Sequence, residues 1–146
     1  MQRFAALALT VLMGAAALSC QSYSTGLEQS VARADETAAT GALRTIALAQ
    51  QTYAATNNGN FGTFQQLAAG GYLDSRFNTD KPALKDYVLT MEAGVGAAGP
   101  FYKCHADPTN TGPQAGRHFY LDSTSEAVHV NATQAASASD PAAQQP

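Results

Sequence analysis

The sequence predicts an α+β fold in which one long helix packs on a four-stranded antiparallel meander. Two observations predict it. Apolar or small residues recur at spacings of three and four from Leu27 to about Thr56, which is the period of one helix face. Further along the chain, four short runs of alternating apolar and polar residues are separated by Gly, Pro, Asp or Ser, a pattern typical of strands joined by turns.

The predicted helix has two halves of different character. Its apolar or small face consists of Leu27, Val31, Ala34, Ala38, Gly41, Ala42, Ile46, Ala49 and Tyr53. The first half of this face has little bulk, whereas Leu43, Ile46 and Leu48 make the second half much more apolar. We therefore expect only the second half to be deeply packed, with the first turns exposed or resting on a partner. Residues 57–60, Asn-Asn-Gly-Asn, tolerate positive φ and are expected to end the helix.

A short second helix is predicted within residues 61–73. Thr63 is placed to cap it, and Gly70 and Gly71 are expected to end it. The side chains expected to face the core are Phe64, Leu67 and Ala68. The following stretch, residues 74–84, is expected to be irregular because Pro82 disfavours a regular element.

The four predicted strands span residues 87–91, 101–106, 117–121 and 127–131. Alternation assigns to the helix-facing side Tyr87, Leu89, Met91, Tyr102, Cys104, Ala106, Phe119, Leu121, Val128 and Val130. Residues 132–146 carry no large apolar side chain and two prolines, so we expect this tail to be disordered.

Composition limits the classes of function. The chain has 146 residues, 45% of them hydrophobic, and a net charge of −3, which suits one domain with a single modest core. It has no basic excess or basic patch, so no nucleic-acid partner is predicted. It also has no nucleophile motif, phosphate-binding loop or metalloprotease helix, so we predict that it is not an enzyme.

The N-terminus has the features of an export signal. Arg3 precedes an apolar run over residues 4–18 that is too short to span a bilayer comfortably. Residues 17–20, Ala-Leu-Ser-Cys, resemble the lipobox of bacterial lipoproteins, with the Ala and the Leu exchanged relative to the usual order. The resemblance implies a signal peptide over residues 1–19, a lipid on Cys20 and a tether over residues 20–26. The protein would then be anchored at the periplasmic face of the outer or inner membrane.

Ordinary signal cleavage before Cys20 is the alternative. An unmodified Cys20 could form a disulfide with Cys104 in an oxidising compartment. If Cys20 is lipidated, Cys104 is a lone thiol that we expect to be half-buried and to serve in packing. The sequence leaves both alternatives open.

Three stretches in a consistent order resemble the globular heads of type IV pilins and of the major pseudopilin of type II secretion. The first is residues 42–53, which look like a pilin helix segment ending in Ala-Gln-x-x-Tyr. The second is Gly-Thr-Phe-Gln-Gln-Leu at residues 62–67 with Gly-Tyr-Leu at 71–73. The third is Ala-Asp-Pro at 106–108 with Gly-Arg-His-Phe-Tyr-Leu-Asp at 116–122. The likeness covers about residues 27–131 and implies a pilin-like head.

The helix start departs from the pilin pattern. Pilins begin with about 20 apolar residues that anchor the subunit and form the filament core, whereas this helix start carries Glu28, Arg33, Asp35 and Glu36. These charges argue against a place in lipid or in a filament centre, and so against a minor pilin processed by prepilin peptidase. The resemblance thus implies a non-enzymatic, lipid-anchored module that binds envelope or secretion-system proteins. The expected contact surface consists of Leu27, Val31, Ala34 and Ala38.

Three histidines suggest a different function. His105, His118 and His129 all fall on the face opposite the predicted core. If Cys104 pairs with Phe119 and Leu121 pairs with Val128, His105 lies across from His118 and His129 is diagonal to His118. Three imidazoles on one surface could bind a transition metal such as zinc.

A calcium site is the second metal hypothesis. Asp107 and Asp122, with Asn110 and loop carbonyls, supply oxygen ligands near a Gly/Pro-containing loop. The resemblance adds to this, because some major pseudopilins bind calcium in this region of the fold. A periplasmic metal- or ligand-binding protein is therefore the alternative function.

Overall fold

A computed structural model describes residues 2–111, 115–125 and 127–144, except for the side chains of residues 2–25. Its elements are α1 (Gln2–Thr56), α2 (Phe64–Ala69), a 3₁₀ turn (Ser75–Phe77), β1 (Ala83–Leu84), β2 (Tyr87–Gly96), β3 (Gly99–Pro108), β4 (His118–Asp122) and β5 (His129–Asn131). The strands form one antiparallel sheet in the order β1-β2-β3-β4-β5. The α+β class and the long helix are confirmed, but the sheet has five strands rather than the predicted four.

The additional strand, β1, lies in the stretch that we expected to be irregular. Lys85, with φ of 52°, helps to turn the chain back so that Leu84 pairs with Tyr87. The carbonyl of Pro82 accepts a hydrogen bond from the N–H of Leu89 at 2.8 Å. Proline lacks a donor but keeps its acceptor, so it can precede a short edge strand.

Helix α1 begins earlier than predicted. It is continuous over 55 residues from Gln2, so the stretch that we expected to be a tether, residues 20–26, is helical. Residues 2–25 contain no proline and are rich in Ala and Leu, which favour helix. The C-terminal end is as predicted: Asn58 and Gly59 have positive φ, and the Gly59 N–H donates to the Ala54 carbonyl at 2.9 Å. Within the described residues, none of the helices combines the length and hydropathy needed to cross a bilayer.

The core lies between the second half of α1 and one face of the sheet. Helix residues Leu43 and Ile46 are fully buried, as are Leu89 and Phe119 of the sheet. The buried amide of Gln50 donates to the Gly62 carbonyl at 2.7 Å and accepts from the Gly62 N–H at 2.9 Å, which ties α1 to the loop before α2. The predicted division of α1 into an exposed and a packed half is confirmed, although Leu48 is 65% exposed.

The predicted capping of α2 is confirmed. The hydroxyl of Thr63 accepts from the Gln66 N–H at 3.3 Å, and the Gln66 side chain accepts from the Thr63 N–H at 2.8 Å. This reciprocal arrangement satisfies two N–H groups at the helix start. Phe64 and Leu67 are buried, Ala68 packs against the core from a half-buried position, and Gly70 is the C-terminal cap.

Residues 132–144, which we expected to be disordered, fold back in the structure so that residues 141–143 lie along the free edge of β5. Their main-chain hydrogen bonds to the strand region run from Val130 N–H to the Pro141 carbonyl at 2.9 Å and from Ala143 N–H to the Val128 carbonyl at 2.6 Å. Ala136 is buried. The tail lacks large apolar side chains, but an open strand edge offers backbone partners that do not depend on side-chain bulk.

Candidate functional site

The stripe formed by Leu27, Val31, Ala34 and Ala38 lies on an outer face of α1. Leu27 is 50% exposed and Val31 is 56% exposed, which makes them two of the exposed large apolar side chains of the described chain. Ala34 is exposed and Ala38 is half-buried. Spacings of four, three and four place these residues above one another along the helix. Folding therefore leaves this predicted contact surface uncovered by the rest of the described chain.

A groove continues the stripe toward the head. Ala38 and Ala42 form its helix side, and the opposite side includes Tyr72, Phe77 and Leu84. Its volume is about 300 Å³. The small helix side chains leave the space between α1 and the following loop unfilled. Stripe and groove together make one track about 20 Å long at 1.5 Å per helical residue. The track is mainly apolar, and the groove is also lined by Thr45, Asp74 and Arg76.

Two ion pairs set the rotation of α1 about its axis. The Lys85 ammonium lies 3.1 Å from Asp35, and the Arg117 guanidinium lies 2.7 Å from Glu36. The Arg117 N–H also donates to Glu36 at 3.0 Å. Asp35 is buried although it is one of the charged residues of the helix start. Because the two acids hold this face of the helix to the sheet, the stripe faces outward.

The pKa of Glu36 reflects this contact. Partial burial raises the pKa of the carboxyl, but hydrogen bonds from the Arg117 side chain and backbone, together with its charge, lower it more, so the net pKa lies below its usual value. Only the charged form accepts all of these hydrogen bonds, so Glu36 stays ionised in the folded protein at neutral pH.

The predicted arrangement of the three histidines is right for one pair and wrong for the other. Tyr120 pairs with His129, the register expected from Leu121 opposite Val128, so His129 is diagonal to His118 as predicted. The observed register places Cys104 opposite Leu121 and His105 opposite Tyr120, two residues away from the predicted pairing. His118 lies opposite a residue of β5 rather than opposite His105. A shift of two residues keeps every side chain on its predicted face, and for that reason the alternation pattern could not exclude it.

Two of the histidines have partners that sequence reasoning missed. His118 Nδ1 lies 2.6 Å from the Asp107 carboxylate. His129 Nδ1 donates to the Asp140 carbonyl at 2.6 Å. His105 Nδ1 and His129 Nε2 are buried and have no hydrogen-bond partner among the described residues. Across the described ranges, no three or more His, Cys, Asp or Glu side chains are grouped so as to hold a metal ion.

The carboxylates of the calcium hypothesis lie apart. Asp122 pairs with Lys103 of β3, so Asp107 lies four residues further along that strand. At about 3.4 Å per residue, this is more than a single ion can bridge. Asn110 donates its side-chain amide to Asp86 at 3.1 Å. Residues 112–114 of the intervening loop lie outside the described residues.

Asp122 is a turn-capping carboxylate with a full set of partners. It accepts from Thr124 N–H at 2.9 Å, Thr124 hydroxyl at 2.6 Å, Ser125 N–H at 2.9 Å and Tyr120 hydroxyl at 2.9 Å. Burial raises its pKa, but these four hydrogen bonds lower it more, and the net pKa lies below its usual value. Burial, together with the hydrogen bond from its hydroxyl to Asp122, raises the pKa of Tyr120 to about 12.

Cys104 is a fully buried free thiol rather than a half-buried one. Burial raises the pKa of this thiol far above its usual value, so it stays protonated and unreactive at neutral pH. Its position facing the helix agrees with the predicted packing role. The side chain of Cys20 lies outside the described residues, and so does any lipid or disulfide at that position.

Comparisons with models of protein families, with curated proteins and with solved structures found no match to this chain.

Proposed function

We propose that this protein is a non-enzymatic, exported module with a pilin-like head, anchored by a lipid on Cys20, which binds an envelope or secretion-system protein through the stripe on α1. The observation that carries the proposal is the uneven packing of α1. Its second half is buried against the sheet, while Leu27 and Val31 remain about half exposed on the first half.

The chemistry of the stripe favours a protein partner. Burial of an exposed Val or Leu side chain contributes about 1.5–3 kcal/mol, and Leu27 and Val31 lie one helical turn apart. Ala34 and Ala38 follow them and permit close approach of a partner backbone. The adjoining groove offers a recess for one larger side chain of that partner. An apolar track that leads into a recess suits an amphipathic partner helix.

A crosslinking comparison on one helix tests the contact. A photoreactive amino acid at Val31 should form an adduct with a specific envelope protein in intact cells. The same group at Leu48, which is 65% exposed outside the stripe, is the matched control. The adduct should disappear when Ala34→Asp and Ala38→Asp are added. Equal adducts from both positions, or none from Val31, would contradict the proposal.

The anchor is tested by intact mass of the protein purified from bacterial membranes, with Cys20→Ala for comparison. We expect a mature chain that begins at Cys20 and is heavier by a diacylglyceryl group and one further acyl chain. A chain that begins near Cys20 without lipid would mean ordinary signal cleavage. A chain that begins at Leu27 would instead mean pilin-type processing.

A second candidate function is ligand or metal binding on the outer face of the sheet. It is favoured by the unpartnered buried nitrogens of His105 and His129, which lie on either side of the Tyr120 ring at centroid distances of 4.9 and 6.3 Å. Buried polar atoms without partners cost about 1–3 kcal/mol each, and a ligand could satisfy them. Titration calorimetry with zinc and with calcium tests this: heat that is lost in His105→Phe would support it, and no heat from either metal would remove metal binding.

A further inference from the structure

Strands β2 and β3 extend beyond the rest of the sheet. On one side, β4 pairs only with residues 103–106 of β3. On the other side, β1 pairs only with residues 87–88 of β2. The remaining parts of β2 and β3 pair with each other without a break as far as the Gly96–Gly99 turn. They form a two-stranded arm. The ten residues at its tip, 93–102, carry no charged side chain.

The outer edge of β2 presents backbone groups that bind no strand. The N–H of Leu89 points outward, because it donates to the Pro82 carbonyl on the β1 side. Backbone direction alternates along a strand. The residues that face outward after Leu89 are therefore Met91, Ala93 and Val95. Among the described residues, no strand pairs with β2 at these positions.

A second contact confirms the direction of Ala93. This residue lies opposite Tyr102 of β3. The Tyr102 carbonyl accepts from the Ser123 N–H at 3.0 Å, so it faces β4 rather than β2. Ala93 and Tyr102 are therefore a pair that exchanges no hydrogen bonds, and the N–H and C=O of Ala93 face the open side.

This edge lacks three of the features that usually block strand pairing, namely proline, lysine and a bulge. Proteins protect open edges with proline, lysine, a bulge or a covering segment. Residues 89–96 contain neither proline nor lysine, and their register with β3 has no bulge. Val95 is 71% exposed. The one charged residue of the edge is Glu92, which lies opposite Lys103.

We propose that this edge binds the same edge of a second copy of the chain, as an antiparallel pair with Ala93 opposite Ala93. In that register Met91 lies opposite Val95 of the second copy. Glu92 lies beside Gly94 of the second copy, so the two carboxylates do not face each other. Each of the three outward-facing pairs exchanges two N–H···O bonds across the two-fold axis.

Neighbouring registers form fewer hydrogen bonds between the two edges. Centring the pair on Met91 would require Leu89, whose N–H is already bound to Pro82. Centring it on Val95 would run past the end of β2 at Gly96 and leave Met91 unpaired. The self-complementary register is thus the one that uses every free outward-facing residue.

Disulfide crosslinking of the purified full chain in detergent tests the register. Ala93→Cys should crosslink readily on mild oxidation, because paired Cα atoms lie about 5.5 Å apart, within disulfide reach. Thr90→Cys is the matched control, since residue 90 would face residue 96 of the second copy and lie about 20 Å from its own counterpart. Both variants carry Cys20→Ala, and Cys104 is buried.

Sedimentation of the chain without a cysteine substitution in β2 measures dimerisation independently of crosslinking. The protein should dimerise with rising concentration, and Ala93→Pro should stay monomeric, because it removes an outward N–H without breaking the β2–β3 ladder. Ala93→Thr keeps that N–H and should still dimerise. Equal crosslinking of Ala93→Cys and Thr90→Cys, or an unchanged dimer in Ala93→Pro, would overturn the proposal. A purified chain that stays monomeric while Ala93→Cys crosslinks to a foreign protein in extracts would also overturn it, and would assign the edge to another protein's strand.

Discussion

Both halves of α1 belong to one continuous helix, but one half contributes buried side chains to the core and the side chains of the other are mostly exposed. From Ala39 to Gln50 the helix contributes fully buried side chains such as Leu43 and Ile46. From Leu27 to Ala38 its larger apolar side chains point to solvent, and contact with the sheet is made by Asp35 and Glu36. One half is therefore held by apolar packing and the other by ion pairs. The difference separates the residues that stabilise the fold from those that are free to bind.

The largest effect is expected in the packed half. Leu43→Ala removes a fully buried side chain from the centre of the core and leaves a cavity. We expect a loss of about 2–5 kcal/mol in the free energy of unfolding, measured by urea denaturation. Leu48→Ala, on the same helix but exposed, is the control and should change stability by less than about 0.5 kcal/mol. Similar losses in both variants would mean that α1 is not oriented as described.

A smaller, pH-dependent effect is expected at the ion pair. The folded pKa of Glu36 lies below its ordinary value of 4.5, so its contribution to stability is present above that pH and is lost as the pH falls through the folded pKa. Glu36→Gln should cost about 1 kcal/mol at neutral pH. The difference between the two proteins should shrink as the pH falls below about 4.5.

The other acidic groups with lowered pKa values, Asp122 among them, titrate in both proteins. Subtracting the stability curve of Glu36→Gln from that of the unmodified chain therefore isolates Glu36. A difference that stays constant with pH, or that grows in acid, would contradict the assigned role of this carboxylate.

The smallest effect on folding is expected in the stripe. Val31→Asp places a charge at a position that is 56% exposed, so stability should change by less than about 0.5 kcal/mol. The same substitution should abolish binding of the proposed partner, because a carboxylate would be buried without a counter-charge. A large loss of stability would show that Val31 packs within the chain, and it would remove the stripe as a binding surface.

Sequence patterns correctly predicted the helices and strands that depend mainly on interactions between residues close together in the chain. The three-and-four spacing placed the helix face, and Thr63 with Gly70 bounded α2 because capping acts within one turn. Strand alternation assigned Leu89, Cys104 and Phe119 correctly to the core, since successive side chains point to opposite faces. The order of the four predicted strands within the antiparallel sheet also matched the chain order.

The features that were missed depend on residues distant in sequence. Glu36 lies 81 positions from Arg117, and no local pattern pairs them. The predicted pairing of His105 with His118 failed because a two-residue shift in the register of β3 with β4 preserves every face. Strand β1 and the docked tail form by pairing with edges that exist only once the sheet is folded.

The sequence by itself determined that this protein has one long helix with a bulky half and a light half, a capped second helix and strands that alternate in polarity. These follow from periodicity and short-range hydrogen bonding, which act before tertiary contacts form. Tertiary structure alone decided which charges hold the light half to the sheet, which residue of β4 lies opposite His105, and which sheet edge stays open. Those outcomes depend on register and on long-range charge pairing, and their energies are set only when distant segments come together.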